Sequence, residues 1–211
     1  MITTENTEVV LLSLAGHRPV FHSEADFQHA LAWSLAQSNL DAVVRLELPF
    51  RTDEASEYLD LLLASKSRRL AVELKYKTRR LSLVHEGETF ELKNQGAQDL
   101  GRYDFLADVG RLERFVADGR ASAGCAILLT NDSSYWAEPS RSNTVDEQFR
   151  LTEGRVVEGT LAWRSHASEG TMRGREKAIS LRGKYTVAWM QYSNPSQLPS
   201  GEFRCLVWHV A

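Results

Sequence analysis

The sequence predicts an α/β fold, a central sheet with helices packed against it, and three observations carry that expectation. A helical segment, "SEADFQHALAWSLAQS", is followed by three strand-like runs in succession. A longer amphipathic helix, "AQDLGRYDFLADVGRLERFVADG", comes next. It leads into "CAILLTND", a short and continuously apolar run of the kind found in strands buried on both faces.

In the first helix Ser23 is a natural N-cap, with Asp26 as its capping-box partner. Phe27, Ala30, Leu31, Ser34 and Leu35 share one face. "AVVRLELPF" alternates Val44, Leu46 and Leu48 against Arg45 and Glu47, and Pro49 is expected to end that strand. "EYLDLLLAS" and "RLAVELKYK" are two further strands joined by the basic turn "KSRR". "LVHEGETFELKNQG" reads as a loop with a small hairpin around Gly87. In the second helix Ala97, Leu100, Leu106, Val109, Leu112 and Val116 keep roughly helical spacing, and Gly119 stops it. The stretch from Ser133 to Gly183 is rich in Ser, Gly and charge and is expected to be loops with irregular pieces. "KYTVAWMQYS" and "EFRCLVWHVA" close the chain as two strands separated by "NPSQLPSG". One domain is expected, a core over 23–131 and an elaboration over 132–211.

With 211 residues, 43% hydrophobic and 25% charged, the composition is that of an ordinary globular domain. A net charge of -3 argues against a protein that coats nucleic acid non-specifically, but leaves room for a local basic groove. "VVLLSLA" is too short to span a bilayer, and "MITTENTE" lacks the basic stretch of a signal peptide. A cytoplasmic location with no membrane partner is expected. Cys125 and Cys205 sit in apolar runs and read as buried, reduced thiols. The six histidines show no ligand spacing, which speaks against zinc.

The chemistry lies in "LDLLLASKSRRLAVELKYK". Folded as a hairpin whose turn centres between Lys66 and Ser67, it places Asp60 directly opposite Glu73, with Cβ atoms about 5 Å apart. Lys75 shares the face of Glu73, while Val72, Leu74 and Tyr76 take the other. A solvated strand face would also alternate in this way. However, Glu and Lys are depleted in strands, and like charges set opposite one another destabilise a sheet unless something cationic lies between them.

The order helix, strand, strand with Asp, strand with Glu-x-Lys, helix, strand resembles the core of the PD-(D/E)xK nuclease superfamily. The resemblance covers roughly residues 23–131 and rests on Asp60, Glu73, Leu74 and Lys75, with Leu59 in place of the family's proline. It implies a restriction-endonuclease-like αβββαβ core with a mixed central sheet flanked by helices, plus a C-terminal β-rich extension. It further implies metal-dependent hydrolysis of phosphodiester bonds in nucleic acid, with DNA as the expected substrate. Mg2+ (or Mn2+) prefers oxygen ligands and keeps several waters, so Asp60 and Glu73 with a substrate phosphate make a typical site. Lys75 would position the attacking water or stabilise developing charge. Glu24, on the first helix, matches the acidic residue that many members bring to the metal, although an acid in a first turn also simply favours the helix dipole.

Gln98 resembles a glutamine that some members hold beside the site. Lys77, Arg79, Arg80, Arg173 and Arg175 are candidate phosphate contacts. Trp136, Trp163, Trp189 and Trp208 can stack bases, but their strand-like contexts favour core packing. Many nucleases of this type act as dimers, so a homodimer is among the assemblies implied. The alternative is a catalytically inactive nuclease fold that serves as a nucleic-acid-binding or interaction module.

Overall fold

The computed structural model describes residues 3–51 and 56–211. In chain order the elements are α1 (Thr4–Ala15), α2 (Glu24–Ser38), β1 (Val43–Arg51), β2 (Ser56–Ala64), β3 (Arg69–Lys77), β4 (Leu81–His85), β5 (Glu88–Leu92) and α3 (Gln98–Ala117). There follow β6 (Ala123–Thr130), β7 (Val156–Leu161), the single turn α4 (Glu169–Met172), β8 (Ile179–Thr186), β9 (Trp189–Ser193) and β10 (Phe203–Val210). The central sheet runs β1-β2-β3-β6-β10-β9. Its only parallel pair among the described residues is β3 with β6; the other neighbours are antiparallel. Parallel neighbours need a crossover, and α3 supplies it. β4 with β5 and β7 with β8 form two small separate ribbons.

The sheet divides the core in two. On one face α1 and α2 bring Leu11, Leu14, Phe27, Leu31 and Leu35 against Leu63, Val72, Leu74 and Tyr76. On the other, Phe105, Leu106, Val109 and Leu112 of α3 cover Ala71, Ala126, Leu128 and Leu206. β6 sits between these layers, with Cys125, Ile127 and Leu129 on the first face and Ala126 and Leu128 on the second. This double burial is why its sequence runs apolar without alternation. Burial pushes the Cys205 thiol up to about 12 and raises Cys125 as well, so both are inert core groups. α3 comes close to the chain that follows β6 only because residue 101 is Gly, since a Cβ there would collide with the buried Tyr135 hydroxyl.

Four expectations need correction. α1 lies in a segment read only as too short for a membrane span; capped by Thr3, it buries Val10, Leu11 and Leu14. Pro49 does not end β1, which runs on to Arg51 with Pro49 opposite Tyr58. An edge strand tolerates proline because the lost N–H faces away from the ladder. The stretch 133–183 is not all loop: it holds β7, α4 and the start of β8. "KYTVAWMQYS" is not one strand, for β8 pairs with β7 while β9 joins the central sheet. β9 and β10 are therefore part of the main sheet and not an appended extension. No described helix is long and apolar enough to cross a membrane.

Candidate functional site

The β2–β3 hairpin pairs Ala64 with Arg69 through Leu61 with Val72, closed by a Ser65 N–H to Arg68 carbonyl bond of 2.8 Å. Its turn centres between Lys66 and Ser67, so the next positions in register are Asp60 and Glu73. The ladder stops just there. β1 is irregular at the same level: Leu46 faces Leu61 and Leu48 faces Leu59, while Glu47 between them has φ 49°. Leu46 and Leu61 pack on the α1/α2 side, but Leu48 and Leu59 pack on the α3 side. Both strands thus exchange faces at Glu47 and Asp60. Gln28 of α2 ties the two bends together, donating at 2.7 Å to Glu47 Oε1 and to the Asp60 carbonyl.

Where β2 leaves, the edge of β3 carries amides that need acceptors. Side chains take them. Leu74 N–H donates to Asp60 Oδ2 at 2.8 Å, Tyr76 N–H to Glu24 Oε2 at 2.7 Å, and Thr78 N–H to Gln95 Oε1 at 3.0 Å. Glu24 therefore does more than favour its helix dipole: it is fixed against β3 beside Asp60. Asp26 is half of a capping box. Its N–H donates to Ser23 Oγ at 3.1 Å, but its carboxylate accepts from His22 N–H and from Arg18 instead of the Ser23 amide.

Glu73 and Lys75 point from β3 toward α3, and two residues of that helix meet them. Arg111 Nε lies 2.9 Å from Glu73 Oε1, and Lys75 Nζ lies 2.8 Å from Asp108 Oδ2. Arg111 also pairs with Asp108, which closes the network. Glu73 is 1% exposed, and among the described residues neither of its carboxylate oxygens accepts a bond from an N–H or O–H group, although its carboxyl, when protonated, is within hydrogen-bond reach of Asp60. The Arg111 contact is one of charge alone.

Burial pushes the Glu73 carboxyl well above its ordinary value, Asp108 and Asp60 add to the rise, and Arg111 opposes it. Burial also raises Asp108 despite Lys75 and Arg111. For Lys75 burial works the other way, but Asp108, Asp60 and Glu24 outweigh it and hold the ammonium above its usual range.

A carboxyl raised on folding binds its proton more tightly in the native state than in the unfolded chain, so stability falls as pH rises from about 4.5, the ordinary Glu value, through the raised one. Urea unfolding from pH 4.5 upward is expected to show this decline, and Glu73→Gln is expected to flatten it. An equal slope in both proteins would show that Glu73 is not raised.

The other candidates divide into two groups. Lys77, Arg79 and Gln98 gather at the carboxyl ends of β3 and β6, where the Gln98 amide donates to Asp132 at 2.8 Å and the Arg79 N–H to Asn131 at 2.8 Å. Arg80 is exposed beside them. Arg173 and Arg175 lie in the segment before β8. Arg173 is exposed, but Arg175 is held in a two-point pair with Asp104 of α3 at 2.6 and 2.8 Å. The indole N–H groups of Trp163, Trp189 and Trp208 donate to backbone carbonyls, and Trp136 lies under the Arg204 guanidinium. The sequence reading missed Asp108, Arg111, Glu47 and Gln28. Asp108 had a legible signal, because Gly101, Phe105, Asp108, Leu112 and Phe115 form the buried seam of α3 at alternating steps of four and three.

Among the described residues no three of His, Cys, Asp and Glu stand close enough together to hold a metal ion. The donor set nonetheless fits a hard cation that keeps most of its waters, since Asp60 and Glu73 offer oxygen and Glu73 accepts no N–H or O–H bond beyond its charge contact with Arg111. Beside the network, a cleft of about 590 Å3 runs along α3, lined by Glu57, Tyr103, Asp108, Arg111 and Lys177. No family model, no curated protein and no solved structure matches the chain.

Proposed function

We propose that the chain is a metal-dependent nuclease of the PD-(D/E)xK type, with a restriction-endonuclease-like core over α2, β1, β2, β3, α3 and β6. One observation carries this reading. Asp60 and Glu73, from adjacent strands, come within reach of each other where β2 parts from β3, and the Glu73 oxygens are buried with Arg111 as a charge contact and no N–H bonded to them. A buried carboxylate without hydrogen bonds is costly, and a site that binds a cation explains why it is kept.

In this reading Asp60 and Glu73 hold Mg2+ or Mn2+, with Glu24 next to Asp60 on the same strand edge. The ion, when bound, supplies a nucleophilic water near neutral pH and neutralises phosphate charge. Asp60 is oriented by the Leu74 amide, which leaves its second oxygen for the ligand. Lys75 is oriented by Asp108 and places a fixed positive charge beside the two carboxyls, where charge grows on a phosphate oxygen during hydrolysis. Lys77, Arg79 and Arg80 continue along β3 and just beyond it as contacts for the nucleic-acid backbone.

The pairing of Glu73 with Arg111 and Lys75 with Asp108 favours a second reading. It neutralises both groups internally, as suits a nuclease fold that binds without cutting.

Incubation with duplex DNA, branched DNA and RNA separates the two. Cleavage of one substrate that needs Mg2+ or Mn2+ and stops with chelator is the expected result. Salt-dependent binding with no cleavage of any substrate in either metal would overturn the nuclease reading in favour of the second.

A further inference from the structure

We infer that Arg111 is a tethered counter-ion that competes with the divalent metal for Glu73, and that Glu57 receives it when the metal binds. The inference rests on the two-carboxylate metal site proposed above and adds a side-chain switch to it. The Arg111 guanidinium sits 2.9 Å from Glu73 without hydrogen bonding to it, since among the described residues Arg111 Nε donates to no acceptor and neither Glu73 oxygen accepts from an N–H. A guanidinium normally seeks a planar two-point match with a carboxylate. Arg111 directs its hydrogen bond to Asp108, so toward Glu73 it supplies charge and little geometry, and another cation can replace it there.

It also has somewhere to go. Arg111 lines the cleft along α3, and Glu57 lines it too. Glu57 Oε2 is buried without a hydrogen-bond partner, and Arg114 reaches it only at 3.8 Å. Its charge already acts on Arg111, after those of Asp108 and Glu73. Two carboxylates that both act on one guanidinium form a two-position element. Metal binding selects the position at Glu57, and Asp108 keeps Lys75 in place throughout.

The two ends of the switch give opposite signs. Mn2+ affinity is read by electron paramagnetic resonance of the free ion in a titration of the full chain. Arg111→Met is expected to bind Mn2+ at least about tenfold more tightly than wild type, because the competitor is gone. Glu57→Gln is expected to bind about three- to tenfold more weakly, because the withdrawn position loses its acceptor. Arg111→Gln, whose amide can still donate to Asp108, replaces Arg111→Met if that variant does not fold. Adding Glu73→Gln to either Arg111 variant is expected to abolish the gain.

Glu73-dependent Mn2+ binding that is unchanged by the Arg111 and Glu57 substitutions would overturn the switch and leave the metal site standing. Absence of Mn2+ binding in every variant, with DNA present, would overturn both. A purely structural Arg111 predicts weaker binding on its removal.

Discussion

If the proposed nuclease reading holds, Lys75→Ala is expected to lower kcat for phosphodiester hydrolysis by about 10²–10³-fold, the usual cost of removing one group that stabilises charge in the transition state. KM is expected to change only a few-fold, since the ammonium is paired with Asp108 and is 15% exposed, whereas Arg79 and Arg80 just beyond β3 are exposed to bound substrate. Lys75→Arg is not expected to restore the rate, because a planar guanidinium does not fit the space of a compact ammonium wedged against Asp108.

Stability has to be separated from chemistry here. Removing Lys75 strips the buried Asp108 of a counter-charge, so the single variant loses stability as well as rate. Lys75→Ala with Asp108→Asn is expected to recover most of the stability and none of the rate. Lys77→Ala serves as the contrast, raising KM and reducing the dependence of binding on salt with kcat preserved. Steady-state kinetics at two salt concentrations, alongside urea unfolding, reads all of these. A Lys75→Ala enzyme with wild-type kcat would remove Lys75 from the chemistry.

The largest loss of stability is expected outside the site, at Glu113. This residue of α3 is 7% exposed and accepts from Arg182 N–H at 2.8 Å, Gly183 N–H at 2.7 Å and the Tyr185 hydroxyl at 2.8 Å. Gly183 suits this close approach, because a Cβ there would strike the Tyr185 ring. Glu113→Ala leaves the buried Tyr185 hydroxyl and the part-buried Arg182 and Gly183 amides without their acceptor, and at ~1–3 kcal/mol for a buried unpaired group a total of about 3 kcal/mol is expected. Tyr185→Phe removes one donor with its share of the acceptor and is expected to cost about 1 kcal/mol. A lowered urea midpoint at constant slope is the readout. Because β8 also leads into the cleft wall at Lys177, the Glu113 variant is expected to loosen that wall without touching Asp60 or Glu73.

How far the sequence is legible follows from what each segment asks of its neighbours. The β2–β3 register was readable because charge breaks an apolar run at Asp60 and Glu73, and a tight turn leaves one way to face them. β6 was readable because burial on both faces removes alternation. α1 was not, since its buried stripe includes Thr4 and Thr7 as well as Val10, Leu11 and Leu14, so apolarity alone does not trace a helix. β7 escaped because Gly159 sits at φ 75° where its pairing with β8 shifts register.

The division of "KYTVAWMQYS" into β8 and β9 cannot be seen locally, as the alternation continues across Val187 while the partner strand changes. Asp108 and Arg111 look like ordinary helix charges until β3 lies beneath them. Their meaning depends on a contact between segments more than thirty residues apart.

The place of β10 in the sheet has a consequence for the order in which the molecule assembles. β6, the most apolar strand, is flanked by β3 on one side and β10 on the other. A ribosome delivers β3, α3 and β6 well before β10, and between them come α4 and three further strands. Until β10 arrives, one row of amides and carbonyls along β6 stays open, bordered by Cys125, Ile127 and Leu129. Such an edge invites pairing with a foreign strand. The half-made protein is thus stickier than the finished one, and a chaperone that shields β6 during synthesis would improve the yield more than any change at the charged site.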